Sequence, residues 1–177
     1  MKSIILIGYM CVGKTTIGKA LAKELGRTFY DLDWYIETRF RKKVPQIFAE
    51  EGEARFREME RSMLHEVAEF DNIVLSCGGG TPRFFDNMDY MNSVGHTFYL
   101  QASPNTICAH LAMSKGERPL LEGLQGEALE AHVTQQIQER SPFYECAQHC
   151  INVDILDSFD RVKDVVEMIK EKLPTEE

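Results

Sequence analysis

Long apolar runs are missing from this 177-residue sequence. No stretch approaches the roughly 18 residues that a membrane-spanning helix requires, so an integral helical membrane protein is excluded. Positive charge is scarce as well: 20 Lys and Arg face 28 Asp and Glu, for a formal net charge of -8. That balance speaks against a broad nucleic-acid or anionic-membrane surface. An anionic ligand must therefore be held by a few placed cations. Cysteine pairing is absent as a pattern. Cys11, Cys77, Cys108, Cys146 and Cys150 are odd in number and form no C-x-x-C, and His149 beside Cys150 does not make a four-ligand set. Neither a zinc site nor a disulfide framework is expected, and all five read as reduced thiols of a cytoplasmic protein. Met1-Lys2 runs directly into an apolar segment, which leaves no stretch with signal-peptide character. Low-complexity tracts, internal repeats and long linkers are lacking too. With 44% apolar residues, the expectation is one globular domain over residues 1–177.

What is present begins at Gly8-Tyr-Met-Cys-Val-Gly-Lys-Thr15, a full match to G-x-x-x-x-G-K-[ST]. It follows the apolar run Ile4 to Ile7 and precedes a helical pattern from Ile17 to Leu25. Strand, tight loop and helix start are what the chemistry needs. Gly8 and Gly13 let the backbone turn so that N–H groups converge, and the helix N-terminus adds partial positive charge. The candidate phosphate-binding set is Gly8, Met10, Cys11, Val12, Gly13, Lys14, Thr15 and Thr16. Lys14 reaches toward the terminal phosphates, and the Thr15 hydroxyl suits Mg²⁺. The chain is expected to bind a nucleoside triphosphate.

Apolar runs alternate with helical patterns along the whole chain, as in a parallel sheet covered on both faces. Strands are expected at 3–7, 28–30, 72–77, 96–101 and 149–153. The first helix should end at Gly26 in the C′ position. Apolar residues at Phe56, Met59, Met63, Val67 and Phe70 predict a helix over 53–70. Ser103-Pro104 reads as a helix start, and Ser158 as the cap of a last helix with the stripe Val162, Val165, Val166 and Ile169. Three segments break this pattern: the polar pieces over 31–51, the triple glycine Gly78-Gly79-Gly80, and the Gly-rich stretch 114–126, which has the character of a flap.

Phosphoryl transfer asks for a metal carboxylate, an acceptor site and a cation over the phosphates. Asp31-Leu32-Asp33 ends the expected second strand, and alternate residues on an extended chain point the same way, so both carboxylates should face the ligand edge. No aspartate ends the third strand, where Ser76 stands, which puts the metal on Asp31. Gly78, Gly79 and Gly80 expose amides without Cβ atoms in the way. Arg57, three residues before Glu60, Arg118 in Arg-Pro-Leu-Leu and Arg140, expected to end a long helix, are the candidate anion-binding cations.

Together these residues resemble the shikimate kinases. The resemblance covers nearly the whole chain and rests on Gly8–Thr15, Asp31-Leu32-Asp33, Phe56-Arg57 with Glu60, the triple glycine, Arg118-Pro119-Leu120-Leu121 and Arg140, in order and in spacing. It implies a three-layer α/β P-loop fold with a five-stranded parallel sheet in order 2-3-1-4-5, a substrate-binding insert at about 31–61 and a mobile lid at about 112–126. It implies transfer of the ATP γ-phosphate to the 3-hydroxyl of shikimate, with Mg²⁺ as cofactor, in a monomer. By the same resemblance, Arg57, Arg140 and the Gly79 amide grip the substrate carboxylate. Asp33 and the Gly80 amide hold ring hydroxyls, and Asp33 is the base. Lys14 and Arg118 neutralise the transferring group, while Thr15 and Asp31 place the metal. Two departures stand out. The family often has glycine at Cys11, and its additional lid arginine is missing from Cys108–Met113, leaving adenine to His110 or to Asn152-Val153-Asp154. Another small-molecule P-loop kinase, such as a gluconate kinase, and a non-catalytic nucleotide-binding module remain the alternatives.

Overall fold

A computed structural model describes residues 2–113, 124–156 and 161–174. Arg118, Ser158 and most of the flap at 112–126 lie outside the described residues. The elements run β1 (Ser3–Ile7), α1 (Lys14–Glu24), β2 (Thr28–Asp31), α2 (Leu32–Phe40), α3 (Val44–Ala68), β3 (Ile73–Ser76), a 3-10 turn (Thr81–Arg83), α4 (Asn87–Val94), β4 (Gly95–Gln101), α5 (Pro104–Met113), α6 (Gly126–Tyr144), β5 (His149–Asn152) and α7 (Arg161–Lys170).

The five strands are all parallel and ordered β2-β3-β1-β4-β5, as the sequence implied. β1 is central because Ile4, Ile5, Leu6 and Ile7 are apolar on both faces, and all four are fully buried. The helices bury Ile17 and Leu21 on α1, Val67 with the unexpected Leu64 on α3, and Val165 and Ile169 on α7, while Phe70 of the expected α3 stripe lies past the helix end at Ala68. Pairing of Asp31 with Ser76 and of Ser76 with Leu6 brings the C-terminal ends of β2, β3 and β1 to one height. The loops leaving those three strands therefore form one ligand edge.

Several expectations change in detail. Asn72, expected to open β3, has φ 56 and stands outside the strand. Asp33 does not extend β2: the chain turns into α2 at Leu32, with Asp31 as N-cap accepting from the amides of Asp33 and Trp34 at 3.2 and 3.4 Å. An aspartate at a strand end satisfies helix donors so well that it starts the helix at once. Helix α3 begins earlier than the periodicity indicated but breaks at Gly52 (φ 80, ψ 168), so its second arm starts where the stripe does. The break folds Phe48 back to within 4.5 Å of Phe56, ring to ring. Helix α6 continues through Pro142 for another turn, to Tyr144.

Candidate active site

The phosphate loop has the backbone its pattern demands. Gly13 is the N-cap of α1 at φ 94, a left-handed conformation that places the first free amides of the helix toward the cleft. No side chain caps this helix start. Cys11 also takes a positive φ, 63°, where glycine would sit without strain. Val12 is buried, so only its backbone faces a ligand. Lys14 Nζ donates to the carbonyls of Gly8 and Tyr9 at 2.9 and 2.8 Å, folding the ammonium back on the loop. Burial lowers its pKa, and the carboxylates of Asp33 and Asp31 partly offset that.

A cleft of about 850 Å³ opens above the loop, lined by Lys14, Thr15 and Thr16 on one side and by Asp31, Asp33, Gly78 and Gly79 on the other. Thr15 Oγ1 donates to Asp31 Oδ2 at 3.0 Å. Asp31 thus uses one oxygen to cap α2 and the other to meet the phosphate loop. No cluster of three or more His, Cys, Asp or Glu able to hold a metal exists among the described residues. The pair of hard oxygens at Thr15 and Asp31 nevertheless fits Mg²⁺, which takes few protein ligands and completes its shell from phosphate and water. Asp33 lies deeper. Burial, then the charges of Asp31 and Glu60, raises its pKa from 3.8 to about 6, against the pull of Lys14 and Arg57.

Arg57 is held from every side. Its guanidinium donates to Glu60 at 2.9 Å and to Glu53 at 3.1 Å, and it stacks on Phe84 at 4.2 Å with Phe56 and Phe48 further out. Glu60 is 1% exposed and accepts from Thr81 Oγ1 at 2.7 Å as well. Its burial raises its pKa despite Arg57 and Thr81. A Cβ on Gly80 would stand 2.7 Å from Arg57 Nη2, and one on Gly78 3.0 Å from Asp33. Gly80 itself has φ -91. A side chain there would have to displace the guanidinium packed against it, whereas the backbone angle is open to any residue.

Arg140 approaches from α6. Its Nη1 lies 3.4 Å from a Cβ built on Gly79, its Nη2 donates to Gln136 at 2.8 Å, and its guanidinium sits over Tyr9. Its Nε is buried without a hydrogen-bond partner among the described residues. Lys14, Thr15, Asp31, Asp33, Gly79, Gly80, Arg57 and Arg140 therefore converge, from residues more than a hundred positions apart. The adenine candidates look different. Both ring nitrogens of His110 meet carbonyls, of Cys11 at 2.9 Å and Leu156 at 3.0 Å, so its edges are committed to bracing the loop. Asp154 is tied to Ser103 and Asn152. The sequence carried no signal for Phe48 and Phe84 as the aromatic walls of Arg57, because phenylalanines off the stripe look like ordinary core residues.

A phosphate loop at the centre of a 2-3-1-4-5 sheet, facing a cleft lined by a half-buried aspartate and by glycines with two arginines packed against them, defines a P-loop phosphotransferase for a small anionic acceptor. The shikimate kinase family model matches residues 10–173. The shikimate kinase of Phocaeicola vulgatus is 49% identical over 98% of this chain and 99% of its own length. The crystal structure of shikimate kinase from Bacteroides thetaiotaomicron superposes with a TM-score of 0.93 at 47% identity, covering 96% of this chain and 97% of that one. Shikimate kinase from Acinetobacter baumannii in complex with shikimate gives a TM-score of 0.84 at 32% identity, over 98% and 96%. The chain belongs to the shikimate kinase family.

Proposed function

We infer that this chain transfers the γ-phosphate of ATP to the 3-hydroxyl of shikimate, giving shikimate 3-phosphate and ADP on the way to chorismate. The observation that carries this reading is that Asp33, Gly78 and Gly79 line the cleft above Lys14, with Arg140 packed against Gly79 and Arg57 against Gly80. Two arginines, one held by a buried glutamate, suit a carboxylate. A carboxyl whose pKa lies near 6 is ionised at neutral pH yet basic enough to take a hydroxyl proton as phosphorus is attacked. Lys14 leaves the loop carbonyls for the transferring phosphoryl oxygens, exchanging two neutral acceptors for a charged one. The amides of Gly13 and the start of α1 bind the phosphates behind it. Thr15 and Asp31 would hold Mg²⁺, which would supply neutralisation of phosphate charge when the nucleotide is bound.

Arg118 belongs to this proposal through the family resemblance alone, as the second cation on the transferring group, with residues 112–126 as the lid that carries it. A single domain over 1–177, with the acceptor-binding insert at 31–61, and a monomeric state complete the reading. Among the described residues no helix is long and apolar enough to cross a membrane. The test is an ADP-release assay with Mg²⁺-ATP and shikimate, gluconate, AMP or no acceptor. Turnover with shikimate alone is expected; turnover with gluconate or AMP instead would discard the acceptor assignment and keep the P-loop.

A further inference from the structure

Tyr144 lies in the extra turn of α6 beyond Arg140, and no motif marks it. Its side chain is fully buried, and its hydroxyl donates to the carbonyl of Gly79 at 2.6 Å, across 65 residues of sequence. Arg140 precedes it by four positions, so both side chains leave the same face of α6. The guanidinium approaches the Cα of Gly79 while the phenol holds its carbonyl. Burial raises the Tyr144 hydroxyl to about 12, against the neighbouring Arg140, so it remains a donor throughout the neutral range.

The consequence follows from peptide geometry. No described peptide bond is cis, so the Gly79 carbonyl and the Gly80 N–H point to opposite sides of one rigid plane. Anchoring the oxygen therefore sets the direction of the hydrogen. Neither the Gly79 nor the Gly80 amide has a hydrogen-bond partner among the described residues. Two consecutive glycines would otherwise rotate more freely than any other pair. We propose that Tyr144 is a positioning residue of the acceptor site, fixing the Gly79-Gly80 amide plane so that its N–H is aimed before the acceptor arrives. The inference rests on the reading of the glycine amides as acceptor contacts.

Tyr99 supplies the control. Its ring lies 5.1 Å from that of Tyr144 in the same buried cluster, but its hydroxyl is hydrogen-bonded with the Ser141 side chain. In steady-state kinetics, Tyr144→Phe should raise the KM for shikimate by roughly tenfold, the scale of one lost buried hydrogen bond. The KM for ATP should stay within about twofold, the same margin expected for both constants in Tyr99→Phe. An unchanged shikimate KM, a parallel rise in both constants, or an equal effect from Tyr99→Phe would overturn the proposal. Backbone ¹⁵N relaxation on the wild-type chain gives a readout independent of turnover and of the variant's folding. Order parameters at Gly79 and Gly80 near the rigid value of about 0.85 are expected without acceptor, and values below about 0.6 would refute pre-orientation. If the wild type turned over no shikimate while these amides were rigid, the acceptor reading would fall and the anchoring would stand.

Discussion

On the proposed reading, residues 8–16 form the donor side and Asp33, Arg57, Gly79, Gly80 and Arg140 the acceptor side around one cleft, yet the two are made differently. The donor side is one continuous segment whose working atoms are mostly backbone: amides at the start of α1, directed by Gly13. The side chains of Met10 and Cys11 are only partly buried, while that of Val12 belongs to the core. The acceptor side draws on α2, α3, the loop after β3 and α6, and its working atoms are mostly side chains held by other side chains. A backbone site tolerates substitution because its geometry lives in φ and ψ. A side-chain site depends on every partner, since a buried charge that loses its counter-group costs several kcal/mol. Damage to the donor side should therefore appear in kcat, and damage to the acceptor-binding arginines and glycines in the KM of one substrate, with Asp33 on the kcat side because it takes the proton.

The largest effect expected is that of Lys14→Met. Removing the cation that follows the transferring phosphoryl group should lower kcat by roughly 10³–10⁵, the range for such a charge, with the melting temperature little changed. Near-normal turnover would erase the distinction between the two sides.

Asp33→Asn comes next, with kcat expected to fall by about 10²–10⁴ for loss of a general base. In the wild type, kcat/KM should rise with pH through about 6 as this carboxyl ionises, and the rise should vanish in the variant. Stability moves the other way. The folded pKa, about 6, exceeds the ordinary 3.8, so the folded state binds the extra proton between those values and stability falls as pH climbs through them. Asn removes that penalty. The variant should match the wild type near pH 4 in chemical denaturation and exceed it at pH 8 by up to roughly 3 kcal/mol. Equal stability at both pH values would mean that Asp33 is not strained by its burial.

Arg57→Ala should weaken shikimate binding by about 2–5 kcal/mol, because the acceptor loses a cation, while Glu60, left without its partner with or without ligand, lowers stability. Trp34, the only tryptophan and part of the cleft wall, offers a fluorescence reading of both ligands. A loss that fell on ATP instead would place Arg57 on the donor side. The smallest effect expected is that of Cys11→Gly. Relief of the left-handed strain at φ 63, about 1 kcal/mol, is offset by the greater freedom of glycine in the unfolded chain. Stability and kcat should both stay close to wild type; a large drop in kcat would mean that the donor side uses this side chain after all.

The family likeness in the sequence reached most of this site, and it reached it unevenly. The phosphate loop, the five strands and the stripes of α1, α3 and α7 follow from local rules: glycine at a forbidden φ, apolar runs on a two-sided sheet, a 3.6-residue period. These depend on neighbours in sequence, so the sequence alone determined them, along with the acidic balance that forces reliance on a few placed cations. Strand-to-helix conversion at Asp31 was hidden because one residue both ends β2 and caps α2, and periodicity does not register a cap. The persistence of α6 through Pro142 was hidden because tertiary packing of Tyr144 outweighs a missing backbone donor. Only the tertiary structure decided that Glu60 serves Arg57 and Thr81 at once, that three phenylalanines wall the guanidinium, that Gly80 is small because Arg57 presses on it, and that a phenol 65 residues away holds the Gly79 carbonyl. Each of those is a contact between segments far apart in the chain, and contact energies of that kind have no local signature. They exist only once the sheet has set the three loop ends at the same height.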